Sequence, residues 1–255
     1  MTDSSITGSS QTSREYRVWD RSIRLFHWIN VFLVSLLVGL GLAILNSKAL
    51  QVGDEGKILL KTLHSWAGYA FIANLLWRIF QGFFGSQYSR WSHVLPFRRE
   101  YFKSLATYLR SLKTDPQKYL GHNPAARLVI ALLLISMCLQ AATGLVLAGT
   151  DLYLPPFGHE FKEQVMAAGE DHEKIANVKP GMKENLDPEG YKEMRAFREP
   201  FITIHEMNFF FMLTMIAIHI LGVIVTEIKE RNAIVSAMIT GNKYFTEDPV
   251  DLTNE

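Results

Sequence analysis

Four long stretches of the chain run without a charged residue: Leu25 to Ser47, Thr62 to Trp77, Leu128 to Thr150 and Met207 to Val225. The second extends to Gly85 if Arg78 is admitted. A helix needs about 20 apolar residues to cross a bilayer core of roughly 30 Å, whereas helices of soluble proteins typically end within about 20 residues. The pattern therefore predicts an all-α integral membrane protein, a four-helix transmembrane bundle with spans at about 24–46, 62–84, 124–149 and 201–226. Between the second and third runs, Phe102, Leu105, Leu109 and Leu112 recur at helical spacing among Lys and Arg. This is the mark of an amphipathic helix that either lies on the membrane surface or packs on the bundle. Between the third and fourth runs, an insertion of about 151–199 contains Pro155-Pro156, Pro180-Gly181 and Pro188, which predict short helices joined by turns. Connections of that length in compact proteins are commonly functional or serve as docking surfaces.

Charge supplies the topology. Residues 86–123 carry Arg90, Arg98, Arg99, Lys103, Arg110, Lys113 and Lys118 against only Glu100 and Asp115, the excess expected of a cytoplasmic loop. Residues 151–199 hold eleven acidic and seven basic residues, with Glu170, Asp171 and Glu173 interrupted only by His172, and are expected on the opposite, periplasmic side. Arg14, Arg17, Arg21 and Arg24 place the N-terminus inside. The expected organisation is a cytoplasmic tail over 1–15, a transmembrane domain over 16–243 and a second cytoplasmic tail over 244–255, in a bacterial inner membrane. Residues 1–13 are polar and lack the apolar core of a cleaved signal. Cys138 is the only cysteine, which excludes disulfides within the chain, cysteine-rich zinc sites, thiolate-held clusters and covalent CxxCH haem attachment.

Ionisable side chains inside a membrane are costly and point to function. Four of the eight histidines fall in the spans: His27, His64, His205 and His219. With the N-terminus inside, His27 lies near the cytoplasmic face and His64 near the outer face. His205 opens the fourth run on the outer side, and His219, fourteen residues further, is about 21 Å deeper at 1.5 Å per residue. The four thus form two pairs by depth, His27 with His219 and His64 with His205, each able to close on one iron from opposite sides of a haem. An iron with both axial positions filled favours electron transfer over oxygen binding. For a single histidine, a bond to a backbone carbonyl is the simpler account; depth matching is what sets it aside. A bare zinc site wants about four ligands at one depth, and the only candidate carboxylate here is Glu206.

These residues resemble those of the prokaryotic cytochrome b561 family, which includes the b-type cytochrome subunits of nickel–iron hydrogenases. The matching stretches are RxxHWxN (Arg24, His27, Trp28, Asn30), His64 followed by Gly68 and Arg78, SQYSRWSHVLP (Ser86 to Pro96), GHNPAAR (Gly121 to Arg127) and His205-x13-His219. The resemblance implies four helices binding two haem b, held by the same two histidine pairs. It implies relay of electrons between the quinone pool and a redox partner outside, such as a hydrogenase, a reductase or a c-type cytochrome. It leaves open the direction of flow and a stand-alone superoxide:quinone oxidoreductase. The rival from another class is a haem-free membrane anchor or metal carrier. Arg78, fourteen residues after His64, Arg24 and His122 are candidate propionate or quinone contacts, with snorkelling to headgroups the alternative for Arg78 and an exposed helix-start histidine that for His122. Gly68 and Gly41 are candidates to clear room for a porphyrin, or for helix packing. Asn30, Asn74, Gln140 and Asn208 are expected to order the core. Membrane lipid is an expected partner and nucleic acid is not; a homodimer is compatible with the sequence.

Overall fold

The computed structural model describes residues 13–96, 99–114, 116–166, 178–181, 186–230 and 233–252. Arg98, the acidic row Glu170 to Glu173 with His172, and the tails 1–12 and 253–255 lie outside the described residues. The chain is mostly helical. In order, the elements are β1 (Arg14–Arg17), α1 (Arg21–Leu45), α2 (Asp54–Phe84), a 3-10 turn (Gln87–Ser89), α3 (Trp91–Val94), α4 (Tyr101–Ser111), α5 (Pro124–Leu152), α6 (Gly158–Gln164), α7 (Pro188–Glu230), α8 (Ile234–Thr240) and β2 (Asn242–Phe245).

The long helices start where their sequences supply a partner for the first free N–H groups. Asp20 accepts from Ile23 N–H (2.8 Å), Asn123 from Ala126 N–H (2.8 Å) and Asp187 from Gly190 N–H (2.9 Å). Each is an N-cap bond to the third helical residue, and at α5 and α7 proline fills the first position, where its missing N–H costs nothing. Asp54 and Glu55 open α2, placing negative charge against the positive end of its dipole. Among the described residues, α1, α5 and α7 are long and apolar enough to cross a membrane. Helix α2 has the length, at 31 residues, but not the apolar character, because Lys57, Lys61 and Arg78 bracket a charge-free run of only 16 residues. Leu25, Phe32, Leu36, Leu42, Ile135, Phe210, Leu221 and Ile224 all stand exposed, a surface suited to acyl chains rather than to water.

Two helices begin ahead of the apolar runs read as spans. Helix α2 begins at Asp54 rather than near 62, and α7 begins at Pro188 rather than near 201. In both, an amphipathic turn or more is continuous with the apolar run, so charge marks the end of the apolar surface and not of the helix. Pro200 lies inside α7 and leaves the carbonyl of Ala196 without its helical donor.

The chain divides into two compact units, one of residues 25–80 and 132–217, the other of 1–24, 81–131 and 218–255. In the first, the insertion has a small core of Val165, Val178 and Met194, packed by Tyr153, Phe161, Leu186 and Tyr191. Its described residues include the short helix α6, and the start of α7 closes it. In the second, β1 and β2 pair antiparallel with Arg14 opposite Phe245 and Arg17 opposite Asn242, so ordered structure begins before position 16 and continues past 243. Asp251 accepts from the N–H groups of Leu120 (2.5 Å) and Gly121 (2.8 Å), clasping the segment that leads into α5. Helix α4 packs along one face. Tyr101 and Tyr108, one face of the helix, are buried, with Tyr101 donating to Pro124 O (2.7 Å) and Tyr108 to Glu230 (2.8 Å); Phe102 and Leu109 remain exposed.

Candidate functional site: an imidazole pair in a helical cavity

Within the first unit, the rings of His64 on α2 and His205 on α7 face each other with centroids 6.4 Å apart and planes inclined at 72°. A metal–imidazole nitrogen bond of about 2.0 Å puts a ring centre about 3 Å from the metal, so two imidazoles across one metal have centroids about 6 Å apart. The observed separation matches that spacing. Around them lies a small cavity of about 70 Å³. Val34, Phe71, Ile72, Leu145, Phe209 and Met212 line it, an apolar wall with polar atoms confined to few positions.

The protein orients His205 through α5. The Thr143 hydroxyl donates to Leu139 O (2.8 Å), which leaves its lone pair to accept from Nδ1 of His205 (2.8 Å). That assigns the proton to Nδ1 and leaves Nε2 as the free donor pair for a metal, the arrangement in which an outer hydrogen bond sets the tautomer of a ligating histidine. Nδ1 of His64 is buried without a hydrogen-bond partner among the described residues. Glycines flank the rings. A Cβ on Gly144 would sit 3.4 Å from Cε1 of His205, one on Gly41 would sit 3.6 Å from Cε1 of His64, and one on Gly68 would meet nothing within 4 Å. The residues present fit a flat group held between two imidazoles. Among the described residues no cluster of three or more His, Cys, Asp or Glu is gathered, so the donor set here is these two rings.

Below the ring of His205, Asn208 donates to Ser136 O (2.9 Å) and to Gln140 Oε1 (2.6 Å), while Ser136 donates to Asn208 Oδ1 (2.9 Å). Asn74 donates to Phe26 O (3.2 Å) beside His27, and Asn30 to Met137 Sδ (3.5 Å). These amides order the core as their sequence positions suggest. Thr143 and Gly144 were not singled out by the sequence; the small-residue run Ala141 to Gly144 was the available signal.

His27 on α1 is half-buried and meets Trp28 edge-on at 5.2 Å, and His219 on α7 is half-buried. Arg78 is 4% exposed, within the helix rather than extended to the surface, so snorkelling does not describe it. Glu206 is exposed. Arg24 turns to the backbone, its guanidinium donating to Ile239 O and to Asp20 O. His122 is half-buried and lies 4.7 Å from the Trp19 ring, immediately before the cap of α5.

A family model described as prokaryotic cytochrome b561 matches residues 18–241. The probable Ni/Fe-hydrogenase B-type cytochrome subunit of Cupriavidus necator is 24% identical over 255 residues, covering 96% of this chain and 94% of that protein. Its counterpart in Rhodobacter capsulatus is 22% identical over 243 residues, covering 92% and 83%. The probable Ni/Fe-hydrogenase 1 B-type cytochrome subunit of Escherichia coli strain K12 is 29% identical over 119 residues, covering 43% and 50%. No solved structure matches the chain. The matched segment contains His27, His64, His205 and His219, and the chain belongs to the prokaryotic cytochrome b561 family.

Proposed function

We propose that the chain is a di-haem b-type cytochrome of the inner membrane that carries electrons from a hydrogenase on the outer side to the quinone pool. The observation that carries this reading is the His64–His205 pair, 6.4 Å apart across an apolar cavity. A haem iron ligated by two imidazoles supplies reversible one-electron exchange with no open coordination position. The outer haem would be held by His64 and His205, the inner one by His27 and His219, the latter pair supported by the fourteen-residue spacing on α7 and by family membership. Helix α2 then serves as the fourth span: its mid-helix His64 and buried Arg78 lower its apolar character for a functional reason. Arg78, with His122, is our candidate contact for the inner haem propionates or the quinone. The hydrogenase is favoured as the partner because the relatives carry that description along most of the chain.

Haem extraction and reduced-minus-oxidised spectra of the purified chain test the reading. Two haem b per chain are expected, with His205→Ala and His219→Ala each losing a different one. Less than one haem per wild-type chain would overturn it.

A further inference from the structure

One turn or two beyond the outer imidazoles stands a charged triad that the haem ligands do not use. Asp151 on α5 lies 2.5 Å from Nζ of Lys61 on α2 and 2.7 Å from Nε of Arg198 on α7. The side chains of Lys61, Asp151 and Arg198 are 35%, 15% and 20% exposed. Two cations share a single carboxylate, so the cluster carries an excess positive charge in a partly dry setting, which is costly until an anion completes it. Its placement identifies the anion. Lys61 precedes His64 by three residues, Arg198 precedes His205 by seven, and Asp151 follows Ala148 and Gly144 by three and seven. Residues three, four or seven apart share a helix face, and His64, Gly144, Ala148 and His205 all line the cavity. At 1.5 Å per residue the triad's backbone lies about 4.5–10.5 Å beyond the imidazoles along their helices.

We propose that Lys61 and Arg198, held in register by Asp151, form a carboxylate-binding site for the two propionates of the outer haem b. This rests on the haem reading above and deepens it. Arginine and lysine are suited to the task in different ways, the guanidinium as a planar fork and the ammonium as a point charge. The rival is a purely structural staple between the insertion and the spans, which would hold no propionate.

The test is a spectroelectrochemical titration of the purified, haem-loaded full chain, with resonance Raman spectra of the propionate bending modes. The outer haem is identified as the component lost in His205→Ala. Removing a nearby positive charge favours the ferric state, so K61Q and R198Q each lower the outer midpoint; at the wild-type midpoint the ferrous-to-ferric ratio falls on the order of tenfold. D151N shifts it the opposite way, R198K preserves it, and the inner haem does not move. The propionate bands shift in K61Q and R198Q. If R198Q sheds the outer haem while R198K keeps it, the site stands. Unmoved potentials, or moved potentials with unmoved propionate bands, overturn the proposal. Absence of haem from the wild-type chain would instead sink the haem reading itself.

Discussion

Substituting Thr143 by Val removes one oxygen and nothing of comparable size, and so isolates the hydrogen bond that orients His205. In the wild-type chain the Thr143 hydroxyl spends its proton on Leu139 O and accepts from Nδ1 of His205, both at 2.8 Å. In T143V the imidazole keeps its place but loses the bond that fixes tautomer and ring rotation. A net hydrogen bond is worth about 0.5–1.5 kcal/mol, and loss of an outer partner of a metal ligand weakens metal binding by about 10–100-fold. The expected result is a chain that retains the inner haem and binds the outer one about 10–100-fold more weakly. Its outer midpoint rises, because an imidazole whose N–H is no longer accepted by an oxygen is a poorer electron donor to ferric iron. T143S retains the oxygen and behaves as wild type. Haem-to-protein ratios after successive dilutions in detergent, with a potentiometric titration, provide the measurement. A T143V protein with full outer haem and an unshifted midpoint would refute the argument, since no other acceptor for His205 Nδ1 is described.

Two further perturbations probe the cavity and the second unit. Gly144→Leu puts a side chain beginning 3.4 Å from His205 Cε1 into space the ring needs; overpacking costs about 1–3 kcal/mol, and haem extraction should find one haem per chain, against two for Gly144→Ala. Lys243 is buried under the Trp19 ring, donates to Tyr119 O (3.2 Å) and Gly121 O (3.0 Å), and burial pushes its pKa down to about 8 despite the nearby carboxylates of Glu230 and Asp251. An unfolded lysine holds its proton to about pH 10.4. From about pH 8 upward the unfolded chain binds more protons than the folded one, so this group makes stability rise with pH. The rise ends near pH 10, where Tyr108 and Tyr119, raised by burial, begin to keep protons that an unfolded chain releases and reverse the slope. Thermal unfolding of the detergent-solubilised protein across that window should show the upward slope in wild type and lose it in K243M; equal slopes would exclude Lys243 as its source.

The fold was legible where one property repeats along the chain. Runs without charge located α1, α5 and the apolar part of α7, because a helix in contact with acyl chains must be apolar on most of its surface. The starts of the helices α2 and α7 lie ahead of those runs, since an amphipathic extension leaves no gap in the helix. In α4 the apolar stripe of Phe102 and Leu109 was visible, but the packing stripe is Tyr101 and Tyr108, whose hydroxyls find Pro124 O and Glu230. Tyrosine reads as neither clearly buried nor clearly exposed until its partner is known.

The site separates along the same line. His64 and His205 could be read as partners because an ionisable residue in an apolar run stands out and depth follows from counting residues. Thr143, Gly144 and the Lys61–Asp151–Arg198 triad could not, for a physical reason. A threonine in a membrane helix ordinarily bonds its own preceding turn, as Thr143 also does with Leu139, and only the position of His205 on another helix gives its lone pair a second use. A glycine is informative only through what its missing Cβ would touch, here a ring on α7. Lys61 and Arg198 are 137 residues apart in sequence and read singly as boundary charges of their helices. Their meaning lies in sharing Asp151 above one cavity. The proposed iron ligands therefore follow from the chain's one-dimensional pattern, while the residues that orient their rings follow only from which faces the helices turn to one another.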